Sequence, residues 1–422
     1  MEINVENHPC FNPGACKRVG RMHLPVAPKC NVMCNFCNRK YDCVNESRPG
    51  VTSTVLTPGQ ALAYVDKTFD RRNDITVIGI AGPGDPFANP EETMETIRLV
   101  RAKYPEVILC LSSNGMGIGP YIDELAELKV THVTITICAT DPKIAAKVYV
   151  WGRENRKIYR GEAIGELMVK RQLDAVQRIC EAGMICKVNT IIIPGVNEDH
   201  IHEVAKTVAD LGAEVQNCIP MIPVEGAAFE DYPAPDSKMT SKVRFQSGEH
   251  IRQMLHCARC RSDAVGLLGK DNPEETQKLM QSCASLPVNP NENRPNVAVA
   301  SMEGMLVNLH LGEAGQFHVF EQTESGSFKH IGIRLAPPAG GGDNRWNTMA
   351  KTFHDCRALL VNAAGDTPKQ ALIKQGIQVI EMEGLIEEGL ECVFSGEPIP
   401  KTLQKRFTSC GDGCKGTGTG CD

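Results

Sequence analysis

The chain has 422 residues, 42% of them hydrophobic, a formal net charge of −6 and 19 cysteines. This length and apolar content imply two or three packed domains. No run approaches the roughly 20 apolar residues of a membrane helix, and the acidic balance gives no broad positive field for nucleic acid.

The start, MEINVENHPC, lacks the basic and apolar regions of a signal peptide, so a cytoplasmic protein that binds neither membrane nor nucleic acid is expected. Thiols stay reduced there, which argues against a disulfide framework and makes metal or iron–sulfur ligation their leading use. The first predicted strand is HLPVAP, followed at residues 30–37 by CNVMCNFC and then by Cys43 in NRKYDC. Cys30, Cys34 and Cys37 form C-x3-C-x2-C. A zinc site would want a fourth ligand, whereas three thiolates on a four-iron cluster leave one iron open to a substrate.

Two helix starts follow. Thr57, Pro58 and Gln60 read as a capping box with proline at the first helical position, and Asn89, Pro90 and Glu92 repeat the pattern. ITVIGIAG, VILCLSS, THVTITIC, CKVNTIII and EVQNCIPMI read as strands separated by segments of helical period. The fold class is therefore α/β with a parallel sheet, open or curled into a full or partial barrel, and with its chemistry on the loops after the strands. Cys138, Cys180, Cys186, Cys218 and Cys283 lie in or beside apolar segments and read as packing. The basic segment from Lys143 to Arg171, with Arg153, Arg156, Lys157 and Arg160, is either a lid over an anionic pocket or a solvated helix face.

ASLPVNPNENRPN, residues 284–296, reads as a linker closing a first domain of residues 1–283. Residues 297–396 then form a smaller α/β domain, in which VAVASMEGMLVNLHLGEAGQFHVFEQ reads as strands joined by a tight turn. Residues 397–422 end in the glycine- and cysteine-rich CGDGCKGTGTGCD and read as a mobile tail.

CNVMCNFC, after a first strand and before alternating strands and helices, resembles the signature of the radical S-adenosylmethionine (SAM) superfamily. The resemblance implies a partial (β/α) barrel and a 4Fe-4S cluster whose open iron chelates SAM and whose electron cleaves it to a 5′-deoxyadenosyl radical. It also implies that Gly82, Gly84 and Asp85 in GPGDP, Asn114 in SSNG and the segment IIIPGVNE border the SAM pocket.

Longer stretches narrow the match. HPCFNPGACKRVGRMHLPVAPKCNVMCNFCNRKYDCVNESRPGV, WGRENRKIYRGEAIGELMVKRQL and LHCARC resemble the branch of that superfamily that builds the core of the nitrogenase cofactor, over nearly the whole first domain. The second domain resembles the NifX and NafY group of nitrogenase-cofactor-binding proteins, which implies a ribonuclease H-like α/β fold.

This resemblance implies three 4Fe-4S clusters, one binding SAM and two being precursors that fuse with a SAM-derived carbide and an added sulfur. His23, Cys43 and Cys110 match the ligand positions of one precursor, and Cys10, Cys257 and Cys260 those of the other. Glu46, beside Arg48 in CVNESRPG, matches a carboxylate near the reacting cluster. His310 in NLHLGEA matches a cofactor-binding histidine, although Leu311 stands where relatives have phenylalanine. Cys356 also matches a family position but reads as packing, and Cys16 departs from the pattern and reads as a surface thiol.

The partners implied are SAM, iron–sulfur cluster donor proteins, carrier or scaffold proteins of nitrogenase assembly and a reductant protein. Two rival readings are a radical SAM maturase with permanent auxiliary clusters and a cluster storage or carrier protein.

Overall fold

Polar residues interrupt the apolar runs of several predicted parallel strands, as in HVTIT and CKVNT, yet they are buried as deeply as the apolar residues between them, so these strands have two covered faces. The computed structural model describes residues 5–38, 54–270, 273–284, 286, 294–323, 325–340 and 342–404. The chain divides into two compact units, Met1–Gln277 and Lys278–Asp422.

The first unit begins with β1 (Gly20–His23), β2 (Val32–Cys34), α1 (Pro58–Phe69), β3 (Ile75–Ile80), α2 (Pro90–Lys103), β4 (Ile108–Ser113) and α3 (Ile122–Glu127). It continues with β5 (His132–Thr136), α4 (Pro142–Val148), β6 (Tyr149–Glu154), β7 (Lys157–Tyr159), α5 (Glu162–Glu181), β8 (Ile185–Ile192) and α6 (Ile201–Asp210). The last elements are β9 (Val215–Pro220), α7 (Ser237–Gly248), β10 (Arg252–Gln253) and β11 (Val265–Gly266).

An 8-stranded sheet has the order β10-β9-β8-β5-β4-β3-β1-β11. Its neighbours are parallel throughout except for β11, which runs antiparallel to β1. Chain order is kept from β3 to β9 because each parallel step requires a crossover long enough for a helix. A separate 3-stranded sheet, β2-β6-β7, joins the cysteine loop to a hairpin.

Two local expectations are corrected. The first strand ends at His23, where HLPVAP was expected to begin it. Pro25 and Pro28 have no N–H to continue a ladder, and only Ala27 carries on, in an isolated bridge to Pro83. At α1 the capping box is present, with Gln60 N–H donating to Thr57 Oγ1 and Thr57 N–H to Gln60 Oε1. At α2 it is not. The Asn89 amide is engaged elsewhere, accepting from Lys29 N–H (3.1 Å) and donating to the carbonyls of Lys29 (2.9 Å) and Asp85 (2.8 Å).

The division between units falls within α8 (Pro273–Ala284), and the second unit continues with β12 (Asn296–Val299), β13 (Leu306–Val307), β14 (Gln316–Gln322) and β15 (Phe328–Leu335). Then come α9 (Asp343–Thr352), β16 (Cys356–Val361), α10 (Asp366–Lys374), β17 (Gln378–Glu381), β18 (Gly384–Leu385) and α11 (Ile386–Ser395). Its 5-stranded sheet has the order β15-β14-β12-β16-β17, with β12, β16 and β17 parallel.

The expected tight turn between the first strands of this unit is instead the segment 300–315, within which β13 leaves to pair with β18. Phe317, Trp346 and Phe353 build the core on one face of the sheet, and Val297, Leu360 and Leu390 on the other. Residues 285 and 287–293 of the expected linker and 405–422 of the expected tail lie outside the described residues, while Ile399 and Leu403 pack on the second core face. Among the described residues no helix is long and apolar enough to cross a membrane.

One ion pair in this unit sets a pH response. Arg334 grips Asp355 with both terminal nitrogens, Nη2 at 2.7 Å, and Asn296 adds a third hydrogen bond at 2.8 Å. The side-chain bond to the guanidinium holds the Asp355 carboxyl below the usual carboxylate range. A depressed folded pKa gives stability that is present above the unfolded pKa and lost as pH falls through the folded one. Asp355→Asn should therefore cost about 1 kcal/mol at neutral pH. In urea titrations the gap from the parent should narrow as pH drops below about 4, and a gap independent of pH would contradict the assignment.

Candidate active site

Alternation along the strands directs Arg21 and His23 of β1, Val77 of β3, Cys110 of β4, Thr134 of β5, Lys187 and Asn189 of β8 and Asn217 of β9 into one cavity. Side chains from six strands can share a cavity only if the sheet curls around its inner face, which makes it a partial barrel. The interior is unusually polar. Arg21 is 1% exposed and Lys187 6%, and Thr136 Oγ1 and Asn217 Oδ1 are buried without a hydrogen-bond partner. So many buried polar groups on one inner face, two of them with an unmatched oxygen, mark a ligand chamber rather than a core.

The N-terminal segment closes one end of this chamber. Phe11 packs on Val215 and Met254, and its ring meets those of His8 at 4.7 Å and His132 at 4.4 Å. Lys187 Nζ stands 5.6 Å from the Phe11 centroid. This placement brings Cys10 to the cavity wall with Cys257 and Cys260, from the loop after β10. Burial pushes the Cys10 thiol up to about 12 although Lys187 pulls it down, and burial, reinforced by Lys187, lowers His132 to about 3. Burial also holds His8 well below its ordinary value.

His23 and Cys110 face the same chamber across a gap. In the sheet register His23 pairs with Gly79, and Gly79 with Cys110. A Cβ at Gly79 would stand 3.1 Å from His23 Cδ2 and 3.5 Å from Nε2, so the glycine leaves the space between them open. His23 Nδ1 lies 2.8 Å from the Arg261 carbonyl. A carbonyl only accepts, so Nδ1 carries the proton and Nε2 the lone pair, the tautomer of a metal-ligating histidine. Gly79→Val should fill that gap and lower iron retention while leaving the fold intact, as read by iron content beside circular dichroism. Undiminished iron would count against the gap as a binding space.

The cysteine loop stands at the C-terminal ends of the strands. Cys34 lies on β2, paired with Tyr149 of β6 across a bulge, and Cys37 N–H closes a turn onto the Cys34 carbonyl (3.1 Å). Cys34 and Cys37 are buried among Val32, Phe36, Met116, Ile191 and Met221, and Cys30 is half-buried. Asn114 Nδ2 reaches Cys30 Sγ (3.8 Å) and Asn31 Oδ1 (2.8 Å).

GPGDP fixes the approach to this loop. Gly84 N–H donates to Ala27 (2.7 Å) and Asp85 N–H to Lys29 (2.8 Å). A Cβ at Gly84 would lie 2.1 Å from the Lys29 carbonyl oxygen, so only glycine allows the strands to approach this closely. The Asp85 carboxylate accepts from Phe87 N–H (2.9 Å), Asn114 N–H (2.7 Å) and Ser113 Oγ–H (3.0 Å). Burial raises its pKa against the pull of these bonds. Gly84 and Asp85 thus build the loop that presents Cys30 and Asn114. In IIIPGVNE, Asn197 likewise ties its own loop to the Cys138 carbonyl (2.9 Å).

The basic segment is not one helix face. It spans α4, the β6–β7 hairpin and α5, where Arg171 pairs with Glu154 (2.8 Å), and Arg153 and Arg156 border an open cavity of about 720 Å³ that also reaches Cys30. Cys43, Glu46 and Arg48 lie outside the described residues. His310 belongs to the second unit, where its Nδ1 accepts from Gly312 N–H (3.0 Å). Burial pushes Cys138, Cys218 and Cys356 up to about 12, which suits packing thiols.

Sequence reasoning missed Arg21, Lys187, His8 and Gly79. Arg21 donates to Cys260 Sγ from Nη2 (2.8 Å) and Nε (3.2 Å) and to the Gly266 carbonyl from Nη1 (2.6 Å). The signal was present in CKVNT, where Lys187 and Asn189 stand two apart in an otherwise apolar strand and so share one face. Among the described residues no three His, Cys, Asp or Glu side chains converge closely enough for a single metal ion. A polynuclear cluster spreads its thiolates more widely, and the three-thiol loop fits one.

A curled parallel α/β sheet with a three-cysteine loop beyond its first strand defines a radical SAM protein, and residues 24–208 match the Radical SAM superfamily. Residues 294–396 match the family described as Dinitrogenase iron-molybdenum cofactor. The chain is 50% identical over 424 residues, 100% of both chains, to the FeMo cofactor biosynthesis protein NifB of Chlorobaculum tepidum. It is 38% identical to that of Bradyrhizobium diazoefficiens, over 89% of this chain and 83% of the relative, and 36% identical to that of Klebsiella pneumoniae, over 88% and 86%. The chain belongs to the NifB family of FeMo cofactor biosynthesis proteins. It is a radical SAM enzyme of cofactor assembly for nitrogen fixation, a class that uses a 4Fe-4S cluster and SAM.

Proposed function

We propose that this enzyme fuses two four-iron clusters, a SAM-derived carbide and an added sulfur into the eight-iron precursor of the nitrogenase cofactor. The observation that carries the reading is the single chamber: His23 and Cys110 line the same enclosed space as Cys10, Cys257 and Cys260. Two bodies that must be joined need a common room, whereas permanent electron-transfer clusters are better kept apart in separate pockets.

Cys30, Cys34 and Cys37 would hold the resident cluster, with Asn114 steadying Cys30. When bound, that cluster supplies the electron that splits SAM to a 5′-deoxyadenosyl radical. Gly82 and Gly84 shape the backbone beside it, and SAM would bind against that backbone.

The precursor clusters are substrates. His23 and Cys110 stand on strands two spacings apart, roughly 10 Å between backbones, with only a glycine between them. A neutral imidazole at His23 releases a cluster more readily than a thiolate does. Cys43 would complete this ligand set and Glu46 would serve as a proton carrier, both by the family resemblance of the segment that holds them. Cys10 is a thiol that burial keeps protonated, so it binds by giving up its proton to an incoming cluster. Lys187 and Arg21 then offset the negative charge of the loaded chamber.

One SAM donates a methyl group to a precursor sulfide, and the radical from a second abstracts hydrogen from it. Carbon passes to iron and loses its remaining protons as the clusters join. Cluster donor proteins load the chamber and a reductant protein supplies electrons. The second unit, with His310, retains product for carrier or scaffold proteins.

Anaerobic incubation of the loaded protein with SAM and dithionite tests the reading. Release of an eight-iron species together with 5′-deoxyadenosine and S-adenosylhomocysteine is expected. Radical cleavage with the clusters unchanged would favour a maturase with auxiliary clusters, and no 5′-deoxyadenosine at all would favour a storage protein.

A further inference from the structure

His8 is 2% exposed and belongs to none of the ligand sets above, yet it lines the chamber beside Cys10, Cys257 and Cys260. Its ring is held between Phe11, at 4.7 Å, and His132, at 4.3 Å. Its Nδ1 lies 3.2 Å from the Cys10 amide nitrogen. A backbone N–H can only donate, so Nδ1 is the acceptor and the imidazole proton sits on Nε2. That Nε2–H is buried and has no hydrogen-bond partner.

The tautomer is opposite to that of His23, whose Nδ1 donates to the Arg261 carbonyl. Nε2 ligation of iron by His8 would need its proton on Nδ1, facing the Cys10 N–H donor. His8 is therefore built to give a hydrogen bond rather than a lone pair, and a buried donor lacking an acceptor is costly. The chamber's other wall shows the kind of acceptor it uses, because Arg21 donates two N–H bonds to Cys260 Sγ.

We propose that His8 is a positioning residue that donates from Nε2–H to a sulfur of the precursor cluster held by Cys10, Cys257 and Cys260. The inference rests on the cradle proposed above. N–H···S bonds stabilise the reduced, more negative cluster and raise its potential, so His8 would both orient this cluster and make it the more easily reduced of the pair. With Arg21 on Cys260 and His8 beside Cys10, the cradle presents donors from two sides, and the cluster needs no fourth protein ligand to be oriented.

The test uses the full chain with Cys30, Cys34, Cys37, His23, Cys43 and Cys110 replaced by alanine, so that only this cradle binds. After anaerobic reconstitution with iron and sulfide and reduction with dithionite, pulsed ENDOR is compared in H₂O and D₂O. An exchangeable proton coupling is expected on a four-iron signal. The part due to His8 should be lost in His8→Phe, leaving that of the Arg21 N–H groups on Cys260, with iron content retained and the midpoint potential shifted to more negative values. His8→Gln, which keeps an N–H donor, should keep the coupling.

An unchanged coupling and potential in His8→Phe, or a strong nitrogen coupling of a directly bound imidazole in the parent, would overturn the proposal. So would loss of the coupling in His8→Gln with the cluster present. Failure of the parent to bind iron, with no further effect of Cys257→Ala, overturns the cradle itself and the proposal with it, and iron content distinguishes that outcome from the others.

Discussion

Cys34→Ala is expected to release no 5′-deoxyadenosine above background when incubated with SAM and dithionite, while the chain stays folded. Cys34 sits at the bulge of the β2–β6 pair, and Cys37 closes its turn onto the Cys34 carbonyl. The backbone of the loop therefore does not depend on the thiol. Deleting one buried sulfur leaves a small cavity that costs on the order of 1–2 kcal/mol, too little to unfold a domain of this size. A cluster held by two thiolates is a different matter: it lacks the tripod that leaves one defined iron for SAM. Loss of activity with an unchanged thermal transition supports the assignment, whereas retained cleavage would remove Cys34 from the ligand set.

The second large effect concerns the chamber. Cys257→Ala combined with Cys260→Ala should cost about four irons per chain and abolish the eight-iron product, yet leave radical cleavage of SAM in place as an uncoupled reaction. The two outcomes separate because Cys257 and Cys260 line the interior while the Cys30 loop stands beyond the strand ends. There is a stability cost to control for. Arg21 is fully buried and would lose the sulfur that accepts two of its hydrogen bonds, a loss of about 1.5–3 kcal/mol. Adding Arg21→Met should recover much of that stability without restoring iron. If it restored iron as well, the thiols would not be the ligands.

Much of this was legible in the sequence. CNVMCNFC carried the resemblance to the radical SAM superfamily, and five apolar stretches announced the parallel sheet because β-strands buried on both faces read as continuous runs. What the runs concealed was the role of the few polar residues within them. Lys187 and Asn217 look like interruptions in single strands, and only the curl of the sheet brings them to one space. Gly79 was invisible for a related reason. A glycine within a strand says little until the register sets it between His23 and Cys110.

Asn89 looked like a helix cap because its position in the sequence is that of a cap, but a backbone segment sixty residues away took its amide first. Asp85 was expected at the SAM pocket for its position, and the sequence did not show that its carboxylate ties the ends of β3 and β4 together. His8 could not have been told from any buried histidine until the Cys10 amide fixed its tautomer. In each case the residue was readable and its partner was not.

The measurement that bears most directly on the whole account is metal quantification combined with Mössbauer spectroscopy on the protein purified without exposure to oxygen. Three four-iron clusters, about twelve irons per chain, are expected, one changing its spectrum on adding SAM and two disappearing from the protein as product forms. Zinc on the Cys30 loop, or a single cluster with no iron bound in the chamber, would contradict it.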